Sequence, residues 1–457
     1  MIYLQFNLSL YIVVLELGIW CGKRWWNSEQ FSEIRRFVSG EIMDSRNHVA
    51  ARAMNCLNPG GELRFVITQN IEWPSITVQW LPTCKKSEDE NYLVQRIILG
   101  DQDDDDSDCN YLTIAELQIP LKNWESKHSC KNDAKDDTIF NIIKQINHDG
   151  DVNIARYMPK KDSIIATKAD GPEVYIFDTD KHPSKPSDDQ AHPELKLLGH
   201  KTDGYGLSWS SFNNGHLLSG DYDGNICIWD VNATPNNLTL NPLQVFKDNE
   251  GDVKDIAWYP KNANLFGSVG KKNLHLWDVR APIVNNPVQY CNAAHSETVN
   301  CLSFNPFKEW NVVTGSSDET VKLWDTRMIG KSNDMYKCVH TFKQVDGSVF
   351  QVDWNPNNEN MFASGCHLGR VIVWDTSKID DKQNDVEIDD GPEMVFVHHG
   401  HTGQISDIAW NPCEDMMVAS VDDENFIHLW KMYFRNSKED EDDDDEDEDD
   451  DNDDYFP

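Results

Sequence analysis

The chain contains 457 residues, of which 39% are hydrophobic, and it carries a formal net charge of −37 at pH 7. So acidic a protein attracts cationic partners and repels the phosphates of nucleic acids, which excludes direct nucleic-acid binding as its main function. The eleven cysteines stand singly, without a Cys-x-x-Cys pair, so we expect reduced thiols in an intracellular protein.

The first 65 residues differ in texture from everything that follows. Met1 to Trp20 is largely apolar, but it has no basic n-region and no small-x-small cleavage site, so we expect neither a signal peptide nor a membrane anchor. Two later stretches could each form an amphipathic helix, Ser28 to Ser39 and Arg46 to Leu57. We therefore expect residues 1–65 to be an atypical leader that contributes a helical extension.

From Val66 onward the chain repeats a short β-rich unit that ends in Trp-Asp. Four full endings lie 48, 47 and 50 residues apart, a period typical of a propeller. Within a unit, apolar alternation marks the strands, and a pair such as Asp223-Gly224 supplies a tight turn. The full and decayed endings are Phe177-Asp178, Trp229-Asp230, Trp277-Asp278, Trp324-Asp325, Trp374-Asp375 and Trp430-Lys431.

Strand-like runs between Trp73 and Leu117 supply one more blade ahead of the first ending, which makes seven. Seven blades of about fifty residues need roughly 350 to 400 residues. The segment from Val66 to Lys431 provides 366. We therefore predict an all-β fold with a single seven-bladed propeller over residues 66–431, despite a length that might suggest three domains.

Two acidic segments lie outside the predicted strands. One is an insertion before the last blade, from Ile379 to Glu393, and the other is the run from Glu439 to Asp454, which holds 15 acidic residues. A run of like charges cannot bury itself, so we expect residues 432–457 to be a disordered tail. Without that run the net charge is still −22, so the predicted propeller is itself acidic.

The sequence contains no motif of a known catalytic site. It has no Gly-x-Ser-x-Gly, no Walker loop, no His-Glu-x-x-His and no EF-hand loop. Three nearby histidines, His398, His399 and His401, suggest a metal triplet, but His401 occupies the Gly-His position that opens the last blade, so we expect structural roles for all three. We predict no enzyme activity, no metal and no cofactor.

Several stretches of the propeller lie outside the generic repeat and carry a specific resemblance. They are similar to the retinoblastoma-binding histone-chaperone WD40 family, which includes the small subunit of chromatin assembly factor one. The similarity covers about Val66 to Lys431. The stretches are Glu72-Trp-Pro-Ser75, Asn147 to Asn153, Ala155 to Pro159, Ile164 to Lys168, Lys181 to Pro186, Gly204 to Trp209, Val299 to Pro306, Phe350 to Val352 and Gly400 to Asp407.

The resemblance implies a non-catalytic histone-binding chaperone subunit in a WD40 propeller. Its partners would be histones H3 and H4 and the subunits of chromatin assembly, histone deacetylase or acetyltransferase, remodelling and Polycomb-type complexes. No membrane association is implied, and the expected location is the nucleus, with a cytoplasmic pool left open. Which of these complexes dominates does not follow from the resemblance.

WD40 propellers of this kind also contain a hydrogen-bonded chain of His, Ser or Thr, Asp and the repeat Trp. By resemblance it consists of His200, Ser219, Asp223 and Trp229 in one blade. In a second blade it consists of His295, Thr314, Asp318 and Trp324. In the blade that ends at Trp277, Asp248-Asn249 replaces Gly-His and Lys271 stands at the turn Asp, so we expect a decayed chain there.

The first implied binding surface is a side groove that takes a helix of histone H4 between the N-terminal helix and the acidic insertion. Carboxylates beside an apolar wall suit an amphipathic helix that carries Arg. Two departures from the family are a single proline in the insertion and an N-terminal helix whose wording is not reproduced. The predicted groove residues are Asp389, Asp390, Gly391, Pro392, Phe396 and Val397, with Met394 beside them.

The second implied surface is the top of the disc, which takes a basic peptide such as the N-terminal tail of histone H3. A ring of carboxylates around a narrow channel focuses its field on an inserted Arg or Lys. Lys254 and Ser348 stand where the family places acidic residues, and Ile154 replaces a basic one. The predicted residues are Glu72, Asp151, Asn153, Asp203, Phe350, Asp423 and Glu424.

Two other binding functions remain open at this point. Trp277-Asp-Val-Arg280 and Trp324-Asp-Thr-Arg327 match the Trp-Asp-x-Arg box of substrate receptors in cullin-based ubiquitin ligases. A cytosolic scaffold without a histone role is the third alternative.

Overall fold

A computed structural model describes residues 62–71, 73–88, 91–102, 110–121, 140–248, 251–281, 286–330, 338–343, 347–379 and 391–434. The chain divides into two compact units, and one of them, residues 1–57 with 123–135, lies wholly outside these ranges. The predicted helices at Ser28 to Ser39 and Arg46 to Leu57 and the predicted tail beyond residue 434 also lie outside them. So do Glu72, Asp389 and Asp390.

The described residues form 29 strands in seven sheets, which we number as blades 1 to 7 in chain order. Blade 1 contains β2 (Ser75–Lys86), β3 (Tyr92–Asp101), β4 (Asn110–Pro120) and β5 (Phe140–His148). Blade 2 contains β6 (Val152–Met158), β7 (Lys161–Ala169), β8 (Val174–Asp178) and β9 (Leu195–Leu197), with β13 (Thr239–Leu240) added in parallel to β9. Blade 3 contains β10 (Leu207–Trp209), β11 (His216–Gly220), β12 (Asn225–Asp230) and β14 (Gln244–Lys247).

Blade 4 contains β15 (Asp255–Trp258), β16 (Leu265–Gly270), β17 (Asn273–Asp278) and β18 (Gln289–Cys291). Blade 5 contains β19 (Val299–Phe304), β20 (Asn311–Ser316), β21 (Thr320–Asp325) and β22 (His340–Lys343). Blade 6 contains β23 (Val349–Trp354), β24 (Met361–Cys366), β25 (Val371–Asp375) and β26 (Met394–His398). Blade 7 contains β27 (Ile405–Trp410), β28 (Met417–Asp422), β29 (Phe426–Tyr433) and β1 (Glu62–Asn70).

Short 3₁₀ helices follow three of the blade strands, at Thr179–Lys181, Thr326–Met328 and Thr376–Lys378. No α-helix occurs in the part of the chain that the structure describes. In that same part, no helix has the length and apolar character that crossing a membrane requires.

The ring closes by pairing the first described strand with the last. β1 runs antiparallel to β29, from Glu62 opposite Tyr433 to Asn70 opposite Phe426, and it forms the outer strand of blade 7. Because strands from both ends of the propeller share one sheet, neither the first nor the last blade is left with an open outer edge. The predicted seven-bladed all-β propeller is confirmed.

The repeat tryptophans are the main anchors of the core. Trp229, Trp277, Trp324, Trp374 and Trp430 are each at most 2% exposed. Phe177, which replaces the Trp of blade 2, is likewise fully buried. Burial of such large rings in packed interiors is worth about 3 to 5 kcal/mol on truncation to Ala, which explains why the ring position is kept when the following Asp is lost.

The hydrogen-bonded chain behind these tryptophans agrees with the prediction in blade 5 and corrects it in blade 3. In blade 5, Trp324 Nε1 donates to Thr314 Oγ1 at 2.8 Å, and His295 bonds both Thr314 and Asp318. In blade 3, Trp229 and His200 bond Ser219 as predicted. The acid that His200 contacts is Asp221, at 3.0 Å.

Asp223 was therefore the wrong choice for the acid of blade 3. Its side chain lies at the exposed tip of the turn, whereas Asp221 directly follows β11 and is fully buried. Asp221 also accepts from the backbone N–H and the side-chain amide of Asn225, so it holds the turn and the histidine together.

Blade 4 keeps the acid–imidazole contact with its two members exchanged. Asp248 stands in place of the opening His, and its Oδ2 lies 2.7 Å from Nδ1 of His275 on β17. Trp277 still donates to Ser268 at 2.8 Å. The chain that we expected to be decayed is thus rebuilt from the opposite side of the contact.

Candidate functional site

Six of the seven residues predicted for the top surface lie on one face of the ring. The first strand of each blade begins at this face, and the turn between the second and third strands returns to it. Asp151 and Asn153 lie at the start of β6, Asp203 precedes β10, and Phe350 lies at the start of β23. Asp423 and Glu424 lie in the turn between β28 and β29, so we call this side the top face.

The six side chains differ in how much they offer to a partner. Asp423 and Glu424 are exposed, whereas Asp151, Asp203 and Phe350 are half-buried. Asn153 is only 6% exposed and donates to the carbonyl oxygen of Ala169 at 3.1 Å. Asn153 therefore supports the edge of blade 2, and the carboxylates and the phenyl ring are the accessible groups.

The departures from the family pattern also lie on the top face. Lys254 Nζ lies 3.5 Å from Asp252 Oδ2 and 4.1 Å from the centroid of the Tyr222 ring. Ser348 is half-buried, and its carbonyl oxygen accepts the N–H of His367. Ile154 is buried. One positive charge is thus fixed among the carboxylates of this face.

Sequence reasoning assigned no role to Lys168, although the structure buries it completely beneath the top face. Its Nζ has no hydrogen-bond partner. Burial lowers the pKa of Lys168 to about 8, although the charges of Asp221 and Asp203 act in the opposite direction. The only signal in the sequence was a lysine inside an otherwise apolar strand, Ile164 to Lys168.

An ion pair in the central channel joins four blades. Asp407 Oδ2 of blade 7 lies 3.1 Å from an Nη atom of Arg156 of blade 2 and accepts the backbone N–H of Val78 of blade 1 at 2.9 Å. Its Oδ1 accepts from the side-chain amide of Gln351 of blade 6 at 2.6 Å. Asp407 is 3% and Arg156 is 19% exposed, so the pair is shielded from bulk water.

Two more carboxyl groups lie close enough to this pair to feel its charges. Burial raises the pKa of both Asp255 and Asp353 to about 7, with a contribution from the charge of Asp407 that Arg156 opposes. The negative charge of the inner channel therefore increases with pH around neutrality. Its potential is weaker at neutral pH than a count of carboxyl groups suggests.

The predicted side groove is only partly within the described residues. Gly391 and Pro392 are half-buried at the end of the insertion. The next residue is anchored, because Glu393 Oε1 lies 3.0 Å from His340 Nε2. Met394 is half-buried and opens β26.

Phe396 and Val397 do not form the accessible apolar wall that we predicted. Phe396 is 1% exposed and stacks on Trp430 with the ring centroids 5.5 Å apart. Val397 is 6% exposed and packs in the core cluster of Trp354 and Trp374. Both faces of β26 are covered, so these residues contribute to the blade core rather than to a groove.

The histidines near the start of blade 7 form a buried stack. His401 bonds Asp422 at 2.8 Å and Ser420 at 2.6 Å, which is the structural chain of that blade. His398 Nε2 lies 2.9 Å from Nδ1 of His428, whose ring stacks on His401 at 3.9 Å. Nitrogens of the three rings lie within 4.8 Å of one another.

This stack is not arranged as a metal site. Stacked rings direct their in-plane lone pairs in parallel rather than toward one point, and both nitrogens of His401 are already in use. Burial lowers the pKa of His398, His401 and His428, so the rings are neutral near pH 7.

The two Trp-Asp-x-Arg sequences have a local explanation. Arg280 forms two hydrogen bonds to Asp278 through its guanidinium, at 2.9 and 2.7 Å. Arg327 does the same with Asp325, at 3.0 and 2.6 Å. Each arginine thus closes the turn that follows its own strand, so the match does not require a ubiquitin-ligase partner.

Comparison with family models gives two matches. Residues 64–121 match the histone-binding model of the protein RBBP4 and its counterpart in the CAF1 complex, and this range spans most of β1 and all of β2 to β4. Residues 192–230, 286–325, 336–375 and 392–431 match the WD domain, G-beta repeat. The chain belongs to the RBBP4-like family of WD40 histone-binding proteins.

Proposed function

We propose that this protein is a non-catalytic histone chaperone subunit that binds histones H3 and H4 in nuclear chromatin complexes. The observation that carries the proposal is the match of residues 64–121 to a histone-binding model, in a propeller whose top face presents carboxylates. The complexes that we infer are those of chromatin assembly, deacetylation or acetylation, remodelling and Polycomb type.

The top face has the chemistry to bind a basic peptide. Asp203, Asp423 and Glu424 lie around the mouth of the channel, and the half-buried ring of Phe350 offers an apolar contact. A guest Arg or Lys that is desolvated at such a site contributes about 2 kcal/mol or more, whereas one on the rim contributes about 0 to 1 kcal/mol. We infer that the H3 tail binds here.

The end of the acidic insertion is the proposed contact for histone H4. Asp389 and Asp390 would pair with arginines of an amphipathic helix through charge-assisted hydrogen bonds. Gly391 and Pro392 would shape the loop, and the Glu393–His340 contact fixes where it rejoins the blade. Because Phe396 and Val397 are core residues, the apolar contact of this groove is assigned to Met394.

Two sets of charge-neutralising variants test the separation of the surfaces. Asp389→Ala with Asp390→Ala should weaken binding of an H4 helix peptide about tenfold or more and leave binding of an H3 tail peptide unchanged. Asp423→Asn with Glu424→Gln is the matched control and should have the opposite effect. Equal loss of both peptides, or loss of neither, in the first variant contradicts two separate sites.

Affinity purification distinguishes this proposal from the two alternatives. Enrichment of histones supports a chaperone, whereas enrichment of a cullin adaptor that is lost in Arg280→Ala with Arg327→Ala supports a ligase receptor. Recovery of neither supports a scaffold without a histone role.

A further inference from the structure

Two tyrosines and two carboxylates gather around one lysine ammonium on the top face. Lys254 Nζ lies 4.1 Å from the centroid of the Tyr222 ring and 3.5 Å from Asp252 Oδ2. The Tyr205 ring lies 6.0 Å from that of Tyr222, tilted by 43°. The backbone N–H of Tyr222 donates to the carbonyl oxygen of Asp203, which keeps the second carboxylate alongside.

This arrangement has the features of a cation-binding site that solvent can reach. The negative faces of aromatic rings attract ammonium groups within about 6 Å, and carboxylates strengthen the attraction. Burial, followed by the proximity of Tyr205 and the charges of Asp203 and Asp252, raises the pKa of the Tyr222 hydroxyl, as expected where the local potential is negative. Tyr205 is 40% exposed, and Lys254 and Asp252 are both partly exposed.

We propose that Asp203, Tyr205, Tyr222 and Asp252 form a subsite for the ammonium group of a guest lysine, and that Lys254 occupies it in the free protein as an internal competitor. The inference rests on the proposed function, because the guest lysine belongs to a basic peptide on the top face. A lysine is favoured over an arginine because the compact ammonium of Lys254 already fits the space.

The position of Lys254 explains why the competitor is effective. Its residue lies one position before β15, and its backbone N–H donates to the carbonyl oxygen of Val269 at 2.8 Å, which holds the main chain in place. The ammonium is therefore tethered beside the rings at a high local concentration. An incoming lysine must displace it, so Lys254 lowers the affinity of the top face for peptides with a lysine at this point.

Removing the competitor should increase peptide affinity. In the full-length protein, Lys254→Met keeps the length of the side chain and removes its charge. We expect the variant to bind a labelled N-terminal histone H3 tail peptide about three- to tenfold more tightly than the wild type does, as measured by fluorescence anisotropy. The gain should disappear in the double variant with Tyr222→Leu, and also with a peptide whose lysines are replaced by norleucine.

Lys272→Met is the matched control for the change in net charge. Lys272 lies on the same face, in the turn between β16 and β17, and its Nζ is 3.9 Å from Glu297 Oε1, away from the tyrosine pair. Its substitution should change affinity by less than about twofold. An equal gain in both variants would reduce the effect to general electrostatics and overturn the subsite.

Chemical labelling of amines tests the internal contact without any peptide. Lys254 should react more slowly than Lys272 in the wild-type protein, and faster once Tyr222→Leu removes the ring. Equal rates in the wild type overturn the inference. If Lys254 is protected and yet no variant binds the peptide, the proposed histone function fails and the guest with it, while the internal contact stands.

Discussion

The ion pair between Arg156 and Asp407 should be a main determinant of stability, because it ties the last blade to the first two. Asp407→Ala leaves the Arg156 guanidinium without its carboxylate and leaves the N–H of Val78 and the amide of Gln351 without their acceptors. Breaking a buried pair by removing one partner costs about 3 to 5 kcal/mol. Because Arg156 is 19% exposed to the channel, we expect about 3 kcal/mol.

The assay is urea unfolding followed by tryptophan fluorescence, since the repeat tryptophans report each blade. Arg96→Ala is the control, because its pair with Glu116 lies at the surface, with side chains 54% and 30% exposed, and should cost about 0 to 1 kcal/mol. Adding Arg156→Met to Asp407→Ala should recover part of the loss by removing the orphan charge. A loss below about 1 kcal/mol for Asp407→Ala, or purely additive effects in the double variant, would refute the reasoning.

Three further predictions concern charge. Lys168→Met should raise the free energy of unfolding at pH 7 by up to about 3 kcal/mol, because the folded pKa of about 8 lies below the unfolded value of 10.5; the gain should vanish near pH 10.5 in pH-dependent denaturation. His148 has a folded pKa of about 4, so it removes stability as pH falls from about 6.5 toward 4, up to about 3 kcal/mol; Asp255 and Asp353 act in the opposite direction below pH 7, so the measurement compares the pH slope of wild type with that of His148→Asn, which should be shallower in its loss. Deletion after Lys438 should weaken histone binding at about 50 mM salt and much less at about 300 mM, and unchanged titrations at both would exclude a role for the tail.

The repeat architecture could be predicted from the sequence because its signals are local and physical. A buried Trp or Phe at a period of about fifty residues requires a blade around it, and the endings placed six blades directly. The closing strand β1 was harder to predict, since its partner β29 lies at the far end of the propeller.

The errors arose where local sequence leaves a choice that packing decides. Asp221 and Asp223 both flank the blade 3 turn, and only the folded backbone directs the first toward His200. Phe396 and Val397 were assigned to a wall because alternation usually separates a buried face from a solvated one. Neighbouring blades cover both faces of a propeller strand, so alternation there does not reveal an accessible side.

The position of Lys168 illustrates a different limit. A lysine within an apolar strand gives no sign of whether its long side chain reaches water or ends in the core. The structure buries it beneath the top face with an unpaired amine, close enough to Asp203 and Asp221 for their charges to act on its pKa.

The most direct test of the account is calorimetric titration of the full-length protein with purified H3–H4 histones at two salt concentrations. A propeller with an acidic top face should bind them with about micromolar or tighter affinity at moderate salt, and more weakly as salt increases. Absence of binding at moderate salt, or an affinity that does not depend on salt, would contradict the account.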